Sequence, residues 1–522
     1  MRGPPHRVAG VYDRGMKNSL LTAVVGMVVC GTGGAACASA QAGDGPEGAW
    51  SEGDGRPNIV FILADDHAWQ AISAYGSDRN VTPNIDRLAA EGMRFDRAFV
   101  TNSICAPSRA VMLTGLYGHM TGVRTNAEAL APGTTTFPGL LHEAGYATAI
   151  IGKWHLKSEP EGFDHTEVLV GQGTYYNPVM IRNGEKVEHE GYTTAIITDL
   201  SIEWLREGRE AGKPFLLMAH HKAPHRNWQP GPAHIGDYDG VVLPEPASLF
   251  DDWADNASPA RQQEMTIAAH LTERDLKLEA PGGLTEEQRA VWEAAYAEKN
   301  EAFAAAGLTG EDLVRWKYQR YAKDYLRCVQ SVDDSVGRLL DTLETLGLAE
   351  NTIVVYTSDQ GWFLGEHGWY DKRWMYEESF RTPLLVRWPG VVEAGVASEE
   401  MVMNLDFAPT LLEAAGVEVP GRMQGESLVG VLRGETPIDW RQSVYYHYYE
   451  STGSHNVAKH EGVRTATHKL IRFYETGEWE LYDLVADPEE MQNIYGEAGT
   501  EELTERLKAE LAYLRAVYAV TD

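Results

Sequence analysis

Asn58-Ile-Val-Phe-Ile-Leu-Ala64 runs directly into Asp65-Asp66. A continuous apolar run of this length fits a parallel strand covered on both faces, since a half-exposed strand would alternate. Three further runs have the same form. Ala147 to Ile151 leads into Gly152-Lys153-Trp154-His155, and Pro214 to Ala219 leads into His220-His221-Lys222-Ala223-Pro224-His225. Thr352 to Tyr356 leads into Ser358-Asp359-Gln360-Gly361. Helical patterns lie between them, at Pro83 to Gly92 and Thr136 to Gly145. The expected fold class is therefore α/β, with a large, mostly parallel sheet flanked by helices. Ligands of such sheets bind outside the carboxyl ends of the strands, and all four polar clusters follow carboxyl ends, so one shared site is expected.

Outward from this frame, Trp228 to Gly310 is rich in Pro, Gly and acidic residues, with short helical pieces and no evident strand. It reads as an insertion over the rim of the sheet, either a lid or a surface decoration, at about 228–310 of a catalytic domain spanning 56–400. From Glu311 to Leu346 apolar residues recur at helical spacing, with Cys328 among them as a small buried hydrophobe. Four stretches, Ser443 to Tyr449, Gly462 to Thr465, Lys469 to Tyr474 and Trp479 to Leu484, read as antiparallel strands. With a helix from Glu501 to Val517 they give a smaller C-terminal α+β subdomain, placed at 401–522.

At the other end, Met16 opens a stretch with a lysine, an apolar run from Leu20 to Cys30 and an Ala38-Ser39-Ala40 cleavage site, the pattern of a secretory signal. Residues 1–40 are read as a signal peptide with preceding residues, Met16 as the natural start and 41–55 as a linker. The expected location is periplasmic or secreted, with acylation of Cys37 as the lipoprotein alternative. No other apolar run reaches membrane-spanning length. The 522 residues are 43% hydrophobic and 23% charged, which excludes a disordered chain. Their net charge of −31 would repel a nucleic acid backbone, so nucleic acid is excluded as a partner.

The clusters carry chemistry of their own. Asp65, Asp66, Asp359 and the amide oxygen of Gln360 are oxygen donors at two strand ends, suited to a hard divalent cation, Ca²⁺ before Mg²⁺; the alternative for either pair alone is a helix cap or turn. Lys153, His155, His225 and Lys372 would add cationic and proton-transfer groups around an anionic substrate. Cys105-Ala106-Pro107-Ser108-Arg109 opens a helix expected over Ser108 to Leu113, which places the Cys105 thiol at an anion-holding helix N-terminus beside Arg109. A thiolate nucleophile is one reading. Sulfur among hard carboxylate ligands is a mismatch, and the other reading is that the sulfur does not survive.

Cys105-Ala-Pro-Ser-Arg109, continued through Ala110 to Gly115, and Gly152-Lys-Trp-His155 resemble the two signatures of the type I, formylglycine-dependent sulfatases of the alkaline phosphatase superfamily. The resemblance runs from about Asn58 to Asp487. It implies that Cys105 is oxidised to formylglycine by a formylglycine-generating or anaerobic sulfatase-maturating enzyme. One hydroxyl of the hydrated aldehyde would then attack sulfur near the metal and displace the sugar alcohol, and the second would let the sulfated intermediate collapse. Asp65, Asp66, Asp359 and Gln360, with the residue at Cys105, would ligate calcium; Gln360 departs from the commoner Asn or His but keeps an oxygen donor. Arg109 and Lys153 would neutralise the nucleophile and sulfate, and His155 would assist deprotonation. His225 and Lys372 would bind sulfate oxygens and protonate the leaving group.

The segments around Asp359 to Ser379 and Lys222 to Trp228 resemble carbohydrate sulfatases, N-acetylglucosamine-6-sulfatases among them. The implied substrate is a sulfated carbohydrate such as 6-O-sulfo-N-acetylglucosamine, attacked at a chain end. Asp371 and Arg373 would reach sugar hydroxyls, His455 would complete the pocket, and His220 and His221 would either back the site residues or touch the substrate. Trp228, Trp362 or Trp374 would face the sugar, the alternative for each being rim packing. Because sulfated glycans are polyanions, Arg109, Lys153, Lys222, Arg226, Lys372 and Arg373 are expected to form a basic pocket in an acidic shell. A marine algal polysaccharide as substrate, a phosphate or phosphonate ester hydrolase, and a glycan-binding protein with a silent site are the rival readings.

Overall fold

The computed structural model describes residues 55–451 and 453–521. The signal peptide at 1–40, nearly all of the 41–55 linker and the acylation reading of Cys37 lie outside the described residues. Four parallel strands, β1 (Asn58–Ala64), β2 (Ala147–Gly152), β3 (Phe215–His220) and β4 (Thr352–Ser358), are buried along their whole length. They neighbour one another in the order β4-β1-β3-β2. Ala64 pairs with Ser358 and Leu63 with His220, so the polar clusters that follow these strands emerge along one edge.

Six shorter strands complete a ten-stranded sheet. Beyond β4 lie antiparallel Leu384–Arg387, then Met93–Phe95 and Val396–Ser398; beyond β2 lie His165–Leu169 and the hairpin of Val179–Arg182 with Glu185–Glu188. The sequence did not mark these six, because strands of three to five residues toward a sheet's margins lack a long apolar run.

Alternate residues of β1 enter two cores. Val60, Ile62 and Ala64 face one, with helix α2 (Gly310–Thr345) contributing Tyr321, Tyr325, Cys328 and Val332. Ile59, Phe61 and Leu63 face the other, with helix α1 (Cys105–Thr114) contributing Ala106, Ala110 and Leu113. Cover on both faces is why the strand sequences do not alternate. α1 starts three residues before the expected Ser108, with Pro107 tolerated in a first turn whose N–H groups have no intrahelical partner.

Two expectations about organisation need correction. The insertion holds more than short helical pieces: Glu286–Ala306 is a 21-residue helix, capped by Thr285 with a reciprocal bond from Gln288. Only Trp292 and Tyr296 of it are buried, too few to give an apolar stripe. The boundary at 401 also moves. Val402–Met403 pairs with Ala98–Phe99, and Phe407–Ala414 packs on α1 and on Phe137–Glu143 within the second core. The separate antiparallel sheet begins at Ser443 and runs in chain order, Ser443–Tyr448, His460–Thr465, His468–Phe473 and Glu478–Asp483, with the helix Glu501–Val517 against it. Buried Arg464 and Lys469 of that sheet pair with Glu377 at 3.2 and 2.9 Å and tie it to the catalytic body. Among the described residues no helix is long and apolar enough to cross a membrane.

Candidate active site

Asp65 and Asp66 follow β1, and Asp359 and Gln360 follow β4. Pairing of those two strands joins clusters nearly 300 positions apart. Asp66 adopts φ of +67°, and its N–H donates to Asp359 Oδ1 at 3.0 Å. This left-handed turn, which Asp tolerates better than most residues, sets its carboxylate beside those of its neighbours. Asp65, Asp66 and Asp359 each bring an oxygen within 4.8 Å of the others, all buried. Gln360 Nε2 donates to Asp66 Oδ1, while Gln360 Oε1 is buried without a partner. Turning that amide over would bring its orphaned oxygen to the point the three carboxylates share, so the donor set fits a hard divalent cation.

Crowding three carboxylates without water has an electrostatic signature. Burial pushes Asp359 up to about 7, aided by Asp65, and pushes Asp66 up to about 6 against the pull of Lys372. Burial acts on Asp65 too, but the cations Lys153, Arg109 and Lys372 hold it well below the usual carboxylate range.

Cys105 is the first residue of α1, with Sγ 3.5 Å from Asp65 Oδ1, 3.7 Å from Gln360 Nε2 and 3.8 Å from Lys372 Nζ. Burial pushes the thiol up to about 12 despite Lys153 and Lys372. In the absence of a cation, burial thus disfavours a thiolate at Cys105, which argues against the thiolate reading. Arg109, one turn along the same helix face, donates from Nε to Asp359 Oδ2 at 3.0 Å and from Nη1 to the Lys153 carbonyl at 2.8 Å. Lys153 Nζ pairs with Asp65, and Lys372 Nζ lies 2.7 Å from both oxygens of Asp66. His155, at φ of +59°, has a buried Nδ1 with no partner, and burial and Lys153 bring its pKa down to about 2. His225 Nδ1 lies 2.7 Å from the Arg226 carbonyl, so the N–H sits on that nitrogen and Nε2 faces Asp66 at 3.7 Å. Burial keeps this ring neutral as well.

A second polar group adjoins the first. Asp371 accepts from the Lys372 N–H at 2.8 Å and from Arg373 Nε at 3.2 Å, and lies 3.1 Å from His455 Nε2. Arg373 Nη1 donates to Glu450 at 3.0 Å and to the Tyr448 hydroxyl at 3.4 Å. His455 Nδ1 lies 2.8 Å from the Glu264 carbonyl of the insertion, and its Nε2 lies 3.3 Å from Arg226 Nη1. Arg226 is gripped in turn by Asp275, with two bonds of 2.9 and 2.6 Å. The sequence reading missed Asp275, Glu450 and Tyr448; Arg226, counted among the cations, is the only pointer to Asp275, and Arg373 the only pointer to Glu450 and Tyr448. Lys222, the sixth of those cations, packs over the Tyr175 ring, and burial and Lys153 lower it to about 8.

Of the alternatives open for Trp228, Trp362, Trp374 and His221, the structure takes packing over a substrate contact. Each is fully buried. Trp228 packs on Tyr321, Trp362 and Tyr370 at ring-centroid distances of 4.6, 5.9 and 6.1 Å, and Trp374 stacks on Trp369. Their faces are covered by other rings and cannot meet a sugar. His221 Nε2 lies 2.8 Å from the Ser335 hydroxyl of α2, and burial lowers the ring to about 4. It is a strut behind β3 rather than a substrate contact. His220, beside it, reaches the Lys153 carbonyl at 3.1 Å.

Comparison with known proteins places this geometry. The family described as Sulfatase matches residues 57–417, and that described as N-sulphoglucosamine sulphohydrolase, C-terminal, matches residues 365–517. An N-acetylglucosamine-6-O-sulfatase of Bacteroides thetaiotaomicron is 49% identical over 465 residues, covering 85% of this chain and 83% of that protein. The human N-acetylglucosamine-6-sulfatase is 28% identical over 423 residues, covering 76% of this chain and 68% of its own. A solved protein in complex with its substrate D-glucosamine-2-N,6-O-disulfate superposes with a TM-score of 0.88 at 47% identity, covering 90% of this chain and 99% of the other. The match over 57–417 begins just before β1 and ends beyond Phe407–Ala414, taking in every strand end that carries the buried acids and cations; the chain belongs to the sulfatase family, as a sulfuric ester hydrolase of carbohydrate substrates.

Proposed function

We propose that this sulfatase removes the 6-O-sulfate from N-acetylglucosamine or a related glucosamine at the end of a glycan chain, after export from the cytoplasm. The observation that carries the reading is the fixed trio of Asp371, Arg373 and His455 beside the acidic cluster, in a chain about half identical to an N-acetylglucosamine-6-O-sulfatase. The trio's side chains are held by Glu450, Arg226 and the Glu264 carbonyl, so their donors and acceptors meet a sugar without prior reordering.

Asp65, Asp66, Asp359 and Gln360 would hold Ca²⁺, which when bound supplies Lewis-acid charge at a sulfate oxygen. Cys105 is the position of maturation, and as formylglycine it would supply a hydroxyl nucleophile where a protonated thiol could not. Arg109 and Lys153 lie on the Asp65 side of the cluster, where they would neutralise charge near the nucleophile. Lys372 stays protonated because Asp66 outweighs its burial, so it can neutralise a sulfate oxygen throughout. His225 has Nδ1–H committed to the Arg226 carbonyl, so its neutral ring presents Nε2 as an acceptor beside Asp66; a proton taken up there from solvent would be the one passed to the leaving sugar oxygen. His155, neutral and with Nδ1 unpartnered, is the base on the other side of residue 105.

Sulfate release from a panel of sulfated sugars, by matured protein with calcium and a Cys105→Ala control, tests this. Release confined to 6-sulfated glucosamines is expected. Release only from an algal polysaccharide would overturn the substrate, and hydrolysis of phosphate or phosphonate esters in preference to sulfates would overturn the reaction.

A further inference from the structure

Away from the catalytic cluster, a cavity of about 210 Å³ opens between the insertion and the N-terminal half of α2, from Trp316 to Arg327. Its walls include Asp239, Lys299, Trp316, Arg320, Lys323 and Arg327. Asp239 is shared by two cations, Lys299 and Arg327, each at 2.5 Å. Asp324, behind the wall, is shared by Arg327 at 2.6 Å and Lys277 at 3.6 Å. Among the described residues no carboxylate lies within ion-pair distance of Arg320 or Lys323, although Asp324 acts on Arg320 from further off. Arg320 is 8% exposed and donates only from Nη1, to the Leu276 carbonyl and the Asn300 side chain, so Nε and Nη2 are unpaired at the cavity wall. Lys323, half-buried, makes no hydrogen bond or ion pair. Burial lowers both groups; Asp324 pulls Arg320 back up in part, while Arg327 lowers Lys323 further against the weaker pull of Asp239.

Lys277, Lys299, Arg320, Lys323 and Arg327 outnumber Asp239 and Asp324 around this recess, an excess of positive charge that favours an anion and is the more telling in a chain of net charge −31. The aromatic wall narrows the ligand. Trp316 is covered by Phe303 on one side and by the Arg320 guanidinium on the other, which fixes Arg320 rather than offering a stacking face. What remains is a pocket for a small oxoanionic group with part of the body that carries it. We propose that this cavity is a second, non-catalytic site that binds the sulfate or carboxylate groups of an anionic saccharide chain. That the anion arrives on a saccharide rests on the carbohydrate sulfatase reading; the cation excess does not. Such a site would hold a long substrate against a body of like charge while its end is processed.

The test uses the full chain with Cys105→Ala, titrated calorimetrically with a tetrasaccharide of alternating uronic acid and 6-sulfated glucosamine, and separately with inorganic sulfate. Two binding events are expected for the tetrasaccharide, the second weakening at high salt. Lys323→Glu should weaken the second event about tenfold or more, the effect of losing one charge-assisted contact. Arg320→Gln provides a second variant should the first perturb folding, and is expected to weaken the same event about fivefold or more. Lys186→Glu, the same charge reversal on the outer strand Glu185–Glu188, should leave both events as in the parent. The proposal is overturned if both cavity variants bind like the parent, if Lys186→Glu weakens binding equally, or if inorganic sulfate binds as tightly as the tetrasaccharide. Sulfate release by the matured, unsubstituted protein is measured on the same sugar. Binding that depends on Lys323 without any release would sink the catalytic reading and leave the second site standing.

Discussion

Trp228 lies three residues after His225, and whether it supports the core or faces the sugar can be settled by replacing it with Phe and with Ala. Its ring is fully enclosed by Tyr321, Trp362 and Tyr370, and its Nε1 is buried without an acceptor. Trp→Ala in such a site costs about 3–5 kcal/mol through lost burial and a residual cavity. Trp→Phe leaves a void of about 40 Å³, which costs about 1 kcal/mol at roughly 24 cal/mol per Å³. It also removes an unsatisfied donor, worth about 1–3 kcal/mol to be rid of. The Phe variant should therefore match the parent within about 2 kcal/mol. At about 2.1 cal/mol/K per residue, a chain this long shifts its melting midpoint by only about 1 °C per kcal/mol. Scanning fluorimetry at a fixed heating rate should show a fall of about 3–5 °C for Trp228→Ala and about 2 °C or less for Trp228→Phe. KM for a 6-sulfated amino sugar should stay within about twofold of the parent in the Phe variant, since a core ring makes no substrate contact. A Phe variant that melts with the parent and raises KM tenfold would refute the core assignment.

Other consequences can be measured alongside. Arg373→Lys replaces a fork that meets both Asp371 and Glu450 with a point charge, and should raise KM at least tenfold with a smaller effect on kcat; initial-rate kinetics decide it. Chelation with EDTA should abolish sulfate release and lower the melting midpoint, with both restored by Ca²⁺; a midpoint indifferent to chelation would count against the donor set. Glu378 is pushed up to about 8 by burial, so the folded chain keeps a proton on it that the unfolded chain loses near 4.5. Stability from this group is full below 4.5 and is lost as pH rises toward 8, by about 4 kcal/mol at most. Glu378→Gln should flatten the fall in melting midpoint between pH 5 and 8, and an unchanged slope would exclude Glu378 as its source.

The strands that hold the acidic cluster were legible because both faces are buried, which writes each as an unbroken apolar word with polar residues after it. Their register, and so the meeting of Asp65, Asp66 and Asp359, follows from the parallel fold. Depth was not legible. A tryptophan beside a polar cluster can as well turn inward, as Trp228 does at φ of +51°, and composition carries no sign of the direction. Asp275 was beyond reach for another reason. It grips Arg226 only because the insertion folds back over the strand ends, and that segment has neither strand pattern nor apolar stripe to announce its path. His455 was found through resemblance, yet its geometry depends on the Glu264 carbonyl, a backbone atom to which no side chain points.

The polar trio and its supports come from four separate stretches of chain: the Arg226 turn, the insertion with Glu264 and Asp275, the Asp371 to Arg373 turn, and the loop of Glu450 and His455. The acids that face them sit on strand ends whose positions are dictated by two cores. One wall of the cleft is thus pinned by the whole sheet, while the opposite wall is assembled from loops held chiefly by side-chain pairs and ring packing. Exchanging the insertion and the loop of Glu450 and His455 between relatives would alter which sugar is admitted while His225 and Lys372, carried by the other two stretches, stay in place, so a change of diet for such an enzyme requires no reinvention of its chemistry.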